Sequence, residues 1–213
     1  MLRILIADDH AVVRKGIKQI LAEAHQDACI GEAGDLAALR ELLSAEQWDI
    51  VTLDLAMPDG NGLESLKQIK QDYPGLPVLI LSIYPEDQYA LRSIRAGASG
   101  YLNKESAPEE LVLAIQKILS GVEYISAAVE EELVHYARHD DDQPLHQTLS
   151  DREYQVLCLI ASGKEVKVIA SELSLSVKTI STYRARLLVK MNMTTNAELT
   201  HYAIQNNLVM KDI

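Results

Sequence analysis

Four apolar segments of the chain end in residues that handle metal or phosphate. Asp8-Asp9 follows Leu2 to Ala7, Asp54 follows Ile50-Val51-Thr52-Leu53, Ser82 follows Val78-Leu79-Ile80-Leu81, and Lys104 follows Ser99-Gly100-Tyr101-Leu102-Asn103. An apolar, β-favouring run that leads into a polar group is the pattern of a buried parallel strand delivering a side chain to its open end. Clustered carboxylates repel one another, and hard oxygen donors of this kind suit Mg2+, which keeps several waters and takes one or two carboxylates directly. A lysine and a hydroxyl beside a Mg2+-loaded carboxylate supply the parts of phosphoryl transfer: an oxygen nucleophile, a cation for the spreading charge and a hydrogen-bond donor. Asp54 stands alone on its strand and is the expected nucleophile, exposed at the sheet edge. The adjacent Asp8 and Asp9 are expected to share the metal, one of them through water. A single acid after a strand is usually a turn former or helix cap; five such groups in this combination are not explained that way.

The segments between these strands read as helices. Val12, Val13, Ile17, Ile20 and Leu21 recur at helical spacing, and Ala28 to Glu32 reads as a further strand. Further helices are expected at Asp35 to Glu46, Gly62 to Asp72, Pro85 to Ala96 and Pro108 to Leu119, the last two stopped by Gly97 and Gly121. Five β-α units joined by short right-handed crossovers make an α/β fold, a five-stranded doubly wound parallel sheet of flavodoxin-like type. Open sheets of this kind bind ligands just beyond the carboxyl ends of their strands, so all five polar groups should meet at one rim.

Residues 1–121 resemble the receiver domain of bacterial two-component response regulators. Asp8-Asp9 match the paired metal-site acids, Asp54 the phosphoacceptor, Ser82 the switch hydroxyl, Tyr101 the switch aromatic and Lys104 the phosphate-binding lysine. The loop Asp54-x-x-Met57-Pro58-x-Gly60-x-Gly62 is similar to the family's signature. The resemblance implies phosphoryl transfer from a phosphohistidine on a sensor histidine kinase, with Mg2+ held also by the backbone carbonyl of Ala56. Two residues depart from the common pattern: Glu105 follows Lys104 where many receivers have proline, and Ser82 stands where Thr is commoner.

The chain's 213 residues allow two modest domains, and its formal charge of -11 is unevenly spread. Residues 1–125 carry net -8, residues 126–147 net -5 and residues 148–213 net +2. Only the last segment is electrostatically suited to a polyanion. No apolar run approaches the ~20 residues of a membrane span, and the start Met1-Leu2-Arg3-Ile4 moves directly into a strand pattern, so a cytoplasmic protein is expected. Cys29 and Cys158 sit in apolar contexts as packing thiols. Residues 122–147 form a connector: a short helix with Val129, Leu133 and Tyr136 on one side, then an acidic, flexible stretch with Asp140-Asp141-Asp142 and Pro144. His135, His139 and His146 fit no metal-ligand spacing and are expected to be solvated.

Ser150 and Glu153 form a capping box at the start of residues 148–213, and Tyr154, Leu157, Cys158 and Ala161 make the inward stripe of the helix they begin. A second short helix carries Val166, Ile169, Ala170 and Leu173. After a turn at Ser174-Leu175, Ser176 caps a third helix with Ile180, Tyr183, Leu187, Leu188 and Met191 facing inward. The opposite face presents Lys178, Ser181, Thr182 and Ala185, flanked by Arg184 and Arg186. Short polar groups bordered by cations suit the major groove of DNA, with small side chains near base edges and arginines on phosphates. A fourth helix, capped by Thr195 or Asn196, places Leu199, Tyr202 and Ala203 on one face as a candidate surface for a second copy of the chain. The stretch Leu149 to Leu208 resembles the LuxR-type helix-turn-helix of the NarL/FixJ family through Leu149-Ser150-x-Arg152-Glu153, Ile169-Ala170-x-x-Leu173, Ser176-x-Lys178-Thr179-Ile180 and Lys190-Met191. Together the two resemblances imply a DNA-binding response regulator, phosphorylated on Asp54, that dimerises and binds promoter DNA. A protein of the same architecture working through partner binding without phosphorylation is one rival. A phosphohydrolase passing through an aspartyl phosphate is another, but a second carboxylate beside Asp54 to act as acid and base is not expected, and the helix-turn-helix would be idle.

Overall fold

The computed structural model describes residues 1–57, 61–84, 86–138, 144–206 and 208–209. Pro58, Gly60, Pro85, His139 and Asp140-Asp141-Asp142 fall outside them, as do the side chains of His135 and Tyr136. The chain divides into two units, Met1–Glu132 and Leu133–Ile213.

In the first unit the apolar runs form five parallel strands: β1 (Arg3–Ala7), β2 (Cys29–Ala33), β3 (Ile50–Asp54), β4 (Val78–Ser82) and β5 (Gly100–Asn103), ordered β2-β1-β3-β4-β5. Five helices alternate with them: α1 (Ala11–Ala24), α2 (Leu36–Ala45), α3 (Gly62–Asp72), α4 (Glu86–Arg95) and α5 (Ala107–Leu119). This is the expected doubly wound sheet. Every residue of β3 and β4 is buried, which explains their continuous apolar reading, since a parallel strand is covered on both faces. Ile4, Ile6, Ile50, Leu79 and Leu81 meet Ile17 and Leu21 of α1 and Leu111, Ile115 and Ile118 of α5 in one core. Such branched aliphatic side chains contribute roughly 1.5–3 kcal/mol each on burial.

Register converts this core into a positioned rim. Ala7 pairs with Leu53, Asp54 with Leu81 and Ser82 with Asn103, so the carboxyl ends of four strands lie level. The start of α3 lies tightly against the end of β3: Gly62 donates its N–H to the Leu55 carbonyl at 3.2 Å. A Cβ at Gly62 would lie 2.5 Å from the Leu55 Cα and 2.6 Å from the Asp54 carbonyl oxygen, so the residue opening α3 has to be glycine.

The connector helix α6 (Ala127–Arg138) starts in the first unit, with Val129 buried there. The second unit holds a 3-10 turn (Leu145–Thr148) and four helices: α7 (Asp151–Ala161), α8 (Val166–Glu172), α9 (Val177–Lys190) and α10 (Asn196–Gln205). The capping box of Ser150 and Glu153 is formed, and Gly163 ends the α7 segment with φ 78°. α7 is the central helix of this unit, buried beyond the expected stripe at Val156, Leu159 and Ile160 as well. One expectation fails here. His146 is not solvated: it is 8% exposed and its Nδ1 lies 3.0 Å from the Tyr202 hydroxyl. Its ring also meets Tyr154 at 6.1 Å between centroids, so Leu145–Thr148 is structured chain, not flexible tether.

Candidate functional site

The rim of the first unit brings together the residues that the sequence singled out. Lys104, one residue beyond β5, sends its Nζ between two carboxylates, 2.6 Å from Asp54 Oδ2 and 2.7 Å from Asp8 Oδ2. Asp54 Oδ1 accepts the Ala56 N–H at 3.1 Å, and Asp8 Oδ1 accepts the His10 N–H at 2.7 Å. Contrary to the expected exposure, Asp54 is 1% exposed, as is Asp8. Lys104 covers them, because charges this deep are tolerated only when paired. Burial raises the Asp54 carboxyl above its ordinary value, against the pull of Lys104 and the Ala56 amide. Burial opposes the charge on Lys104 too, but Asp54 and Asp8 outweigh it and hold the ammonium above its ordinary value.

Asp9 takes a different part. It is half-buried, and its Oδ1 lies 2.6 Å from His10 Nδ1. Ligand atoms of Asp8, Asp9, His10 and Asp54 all lie within 4.8 Å of one another. Three converging carboxylates with a single lysine among them carry excess negative charge in a small volume, and their hard oxygens fit a divalent cation such as Mg2+. The sequence reading missed His10, whose only signal was its place after the acid pair.

Ser82 and Tyr101 lie beside this cluster. Ser82 is fully buried, and its Oγ accepts the Tyr84 N–H at 3.1 Å. Tyr101, 2% exposed, donates its hydroxyl to the Tyr84 carbonyl at 2.7 Å, with Asn103 Nδ2 at 3.4 Å from the same oxygen. Burial, above all, raises the phenol above its ordinary value. The Tyr84 peptide is thus held on both sides by residues of the rim, and the Tyr84 ring stacks on Tyr89 at 4.5 Å between centroids. Sequence gave no signal for Tyr84, because its backbone does the work. The Lys104–Glu105 peptide is trans, like every described peptide bond.

The second unit displays the helix α9, with one buried apolar face and one exposed polar face. Ser176 caps α9 by accepting the Thr179 N–H at 3.0 Å, and the turn before it passes through Ser174 at φ 52°. Ile180, Leu187 and Met191 are buried, whereas Lys178, Ser181, Thr182, Ala185 and Arg186 are exposed. Ser181 and Thr182 donate to the carbonyls of Val177 and Lys178 at 2.8 and 3.0 Å, leaving hydroxyl lone pairs outward. Arg184 is half-buried, and its Nε donates to Asn196 Oδ1 at 2.5 Å, which ties α9 to α10. The face expected for a second copy is corrected. Leu199 and Ala203 are wholly buried, because α10 spends its apolar stripe on its own unit's α7, and the Tyr202 hydroxyl is engaged by His146. The solvent side of α10 carries Ala197, His201 and Ile204.

Comparison with known proteins agrees with this geometry. Residues 4–116 match the family model "Response regulator receiver domain", and residues 147–203 match "Bacterial regulatory proteins, luxR family". The chain is 33% identical to the response regulator UvrY of Escherichia coli O6:H1, over 98% of this chain and 96% of that one. It is 33% identical to the response regulator GacA of Pseudomonas aeruginosa, over 98% of each. Among solved structures, RcsB from Salmonella enterica serovar Typhimurium, bound to promoter rprA in the presence of phosphomimetic BeF3-, superposes with a TM-score of 0.63 at 27% identity. That match covers 95% of this chain and 98% of RcsB.

Proposed function

The chain belongs to the bacterial response regulators that join a receiver domain to a LuxR-type helix-turn-helix, a family of DNA-binding transcription regulators, and from that premise we propose that Asp54 is its phosphoacceptor. Residues 1–121 serve as the receiver, 122–147 as the connector and 148–213 as the DNA-binding domain. A sensor kinase's phosphohistidine loses its N–P bond, and a P–O bond forms to the Asp54 carboxylate. Asp8, Asp9, Asp54 and the Ala56 carbonyl would hold Mg2+, which when bound neutralises charge on the phosphoryl oxygens. Lys104, already within 2.7 Å of two carboxylates, stays to pair with the phosphoryl group. The Ser82 hydroxyl donates to it.

A phosphoryl group adds about -1.5 to -2 of charge and three acceptor oxygens. Moving a two-state regulator from mostly inactive to mostly active takes up to ~5.5 kcal/mol of differential binding, a scale that new charge-assisted hydrogen bonds and a dimer contact can reach together. The output is homodimerisation that presents two copies of α9 to half-sites about one DNA turn apart. Lys178, Ser181, Thr182 and Ala185 face base edges, and Arg184 and Arg186 face phosphates; Arg184 must exchange Asn196 for its phosphate. The protein works in the cytoplasm, where both kinase and promoter are reached; among the described residues no helix is long and apolar enough to cross a membrane.

The observation that carries this reading is Lys104 bridging Asp8 and Asp54 at the sheet's carboxyl edge. The test is DNA binding by the full chain, using duplexes selected from a random pool, with and without acetyl phosphate and Mg2+. Tighter binding with the phosphodonor, lost in Asp54→Asn, is expected. Equal binding in both conditions would favour the rival that works without phosphorylation.

A further inference from the structure

The chain leaving α5 turns back and pairs with the edge of the sheet. Gly100 and Tyr124 form a parallel bridge: Tyr124 donates its N–H to the Ser99 carbonyl at 3.0 Å, and the Tyr101 N–H donates to the Tyr124 carbonyl at 3.0 Å. The switch tyrosine therefore shares its own backbone with the start of the connector. Two residues later Ser126 caps α6, its Oγ 3.4 Å from the Val129 N–H and its carbonyl accepting the Glu130 N–H. The free N–H of Ser126 is not left to water. It donates to Glu86 Oε1 at 3.2 Å.

Glu86 is the first residue of α4 and lies two positions past Tyr84, whose peptide is held by Ser82 on one side and Tyr101 on the other. Its negative charge helps to raise both the Tyr101 and the Tyr124 phenol, after burial, the larger cause. The Tyr124 phenol is pushed up to about 12, by burial first, then by Glu110, to which it hydrogen-bonds, and by Glu86. A carboxylate at a helix N-terminus also meets the positive end of the helix dipole. One side chain thus touches the connector helix and borders the residues that answer the phosphate pocket.

We propose that Glu86 is a positioning residue that clamps the N-terminus of α6 to the receiver until phosphorylation of Asp54 releases it. The inference rests on the phosphoacceptor reading above. Recruiting the Ser82 hydroxyl to a phosphoryl oxygen turns its Oγ toward Asp54 and away from the Tyr84 N–H that it accepts; Tyr84 and Glu86 shift, and the Glu86–Ser126 bond breaks. The first turn of α6 then loses its tie to α4 and moves independently of the sheet edge.

Amide hydrogen exchange on the full chain tests this, read at Ser126 with and without beryllofluoride and Mg2+, beside acetyl-phosphate labelling of Asp54. In the wild type this amide should exchange at least about tenfold faster with beryllofluoride, the scale of one charge-assisted hydrogen bond. Glu86→Ala should exchange fast in both states while labelling Asp54 like the wild type, and Glu86→Gln, which keeps an acceptor, should recover part of the protection. Labelled protein whose Ser126 amide does not respond overturns the clamp and leaves the phosphoacceptor reading intact. Slow exchange in Glu86→Ala also overturns it. Absence of labelling in the wild type overturns both. Should Glu86→Ala fail to fold, the wild-type comparison and Glu86→Gln still decide.

Discussion

The acid–lysine pocket at the sheet rim and the exposed face of α9 use polar residues in opposite ways. Asp8, Asp54 and Ser82 are 0–1% exposed and held by short bonds to one another's neighbours, so their electrostatics are fixed before any ligand arrives. Lys178, Ser181, Thr182 and Arg186 stand in water, and their partners, where they have them, lie within α9 itself. A buried, preorganised site does chemistry on one small group; an exposed face pays for its order only on meeting a polyanion. Damage to the first should therefore be near all-or-none, and damage to the second graded and dependent on salt.

The sharpest break in that contrast is Asp54→Asn, which should abolish acetyl-phosphate labelling outright, read by intact mass. Lys104→Ala comes next. It strips two buried carboxylates of their shared cation and should cost roughly 3–5 kcal/mol in urea unfolding of the first unit, partly restored by Mg2+. An unchanged midpoint would mean that the pocket is solvated like the helix. On the exposed side, Lys178→Ala or Thr182→Ala should weaken DNA binding by ~1–3 kcal/mol with relaxed sequence preference. Arg186→Ala should weaken all sequences evenly and reduce the salt slope by about one. None of the three should shift thermal stability by more than about 0.5 kcal/mol.

Glu153 sharpens the comparison, because it is a buried acid in the unit otherwise defined by its exposed face. It caps α7 at Ser150 and accepts from Lys190 Nζ at 2.6 Å. Burial pushes its carboxyl up, but Lys190 and the Ser150 amide and hydroxyl together hold it below the ordinary 4.5. A depressed carboxyl stabilises the fold above its unfolded value and loses that contribution as pH falls through the folded one. Thermal melts should show the second unit weakening below about pH 4.5, and Glu153→Gln should flatten that dependence while costing about 1 kcal/mol at neutral pH.

The two regions also differed in how far the sequence revealed them. The pocket was legible because strand periodicity is strict: a side chain one step past β1 or β5 has one place to go, so Asp8, Asp54, Ser82 and Lys104 could be assigned to one rim from spacing alone. Burial was not, since the cover over Asp54 is a lysine fifty positions away. Helix faces carry a weaker code. The apolar stripe of Leu199 and Ala203 reads the same whether it meets α7 or a second copy, and only the tertiary packing of α7, buried almost all round, decides for the former. His146 fell to a related ambiguity: with no metal-ligand spacing it reads as solvated, and Tyr154 nearby in sequence and Tyr202, 56 positions on, make it core.

The central claim is that Asp54 receives a phosphoryl group in a pocket shared with Asp8, Asp9 and Lys104. Intact mass of the full chain after acetyl phosphate and Mg2+ tests it most directly. The account predicts a single phosphoryl adduct on the wild type that disappears in Asp54→Asn and on chelation of Mg2+. A wild type that stays unmodified, or an adduct that survives Asp54→Asn, would contradict it.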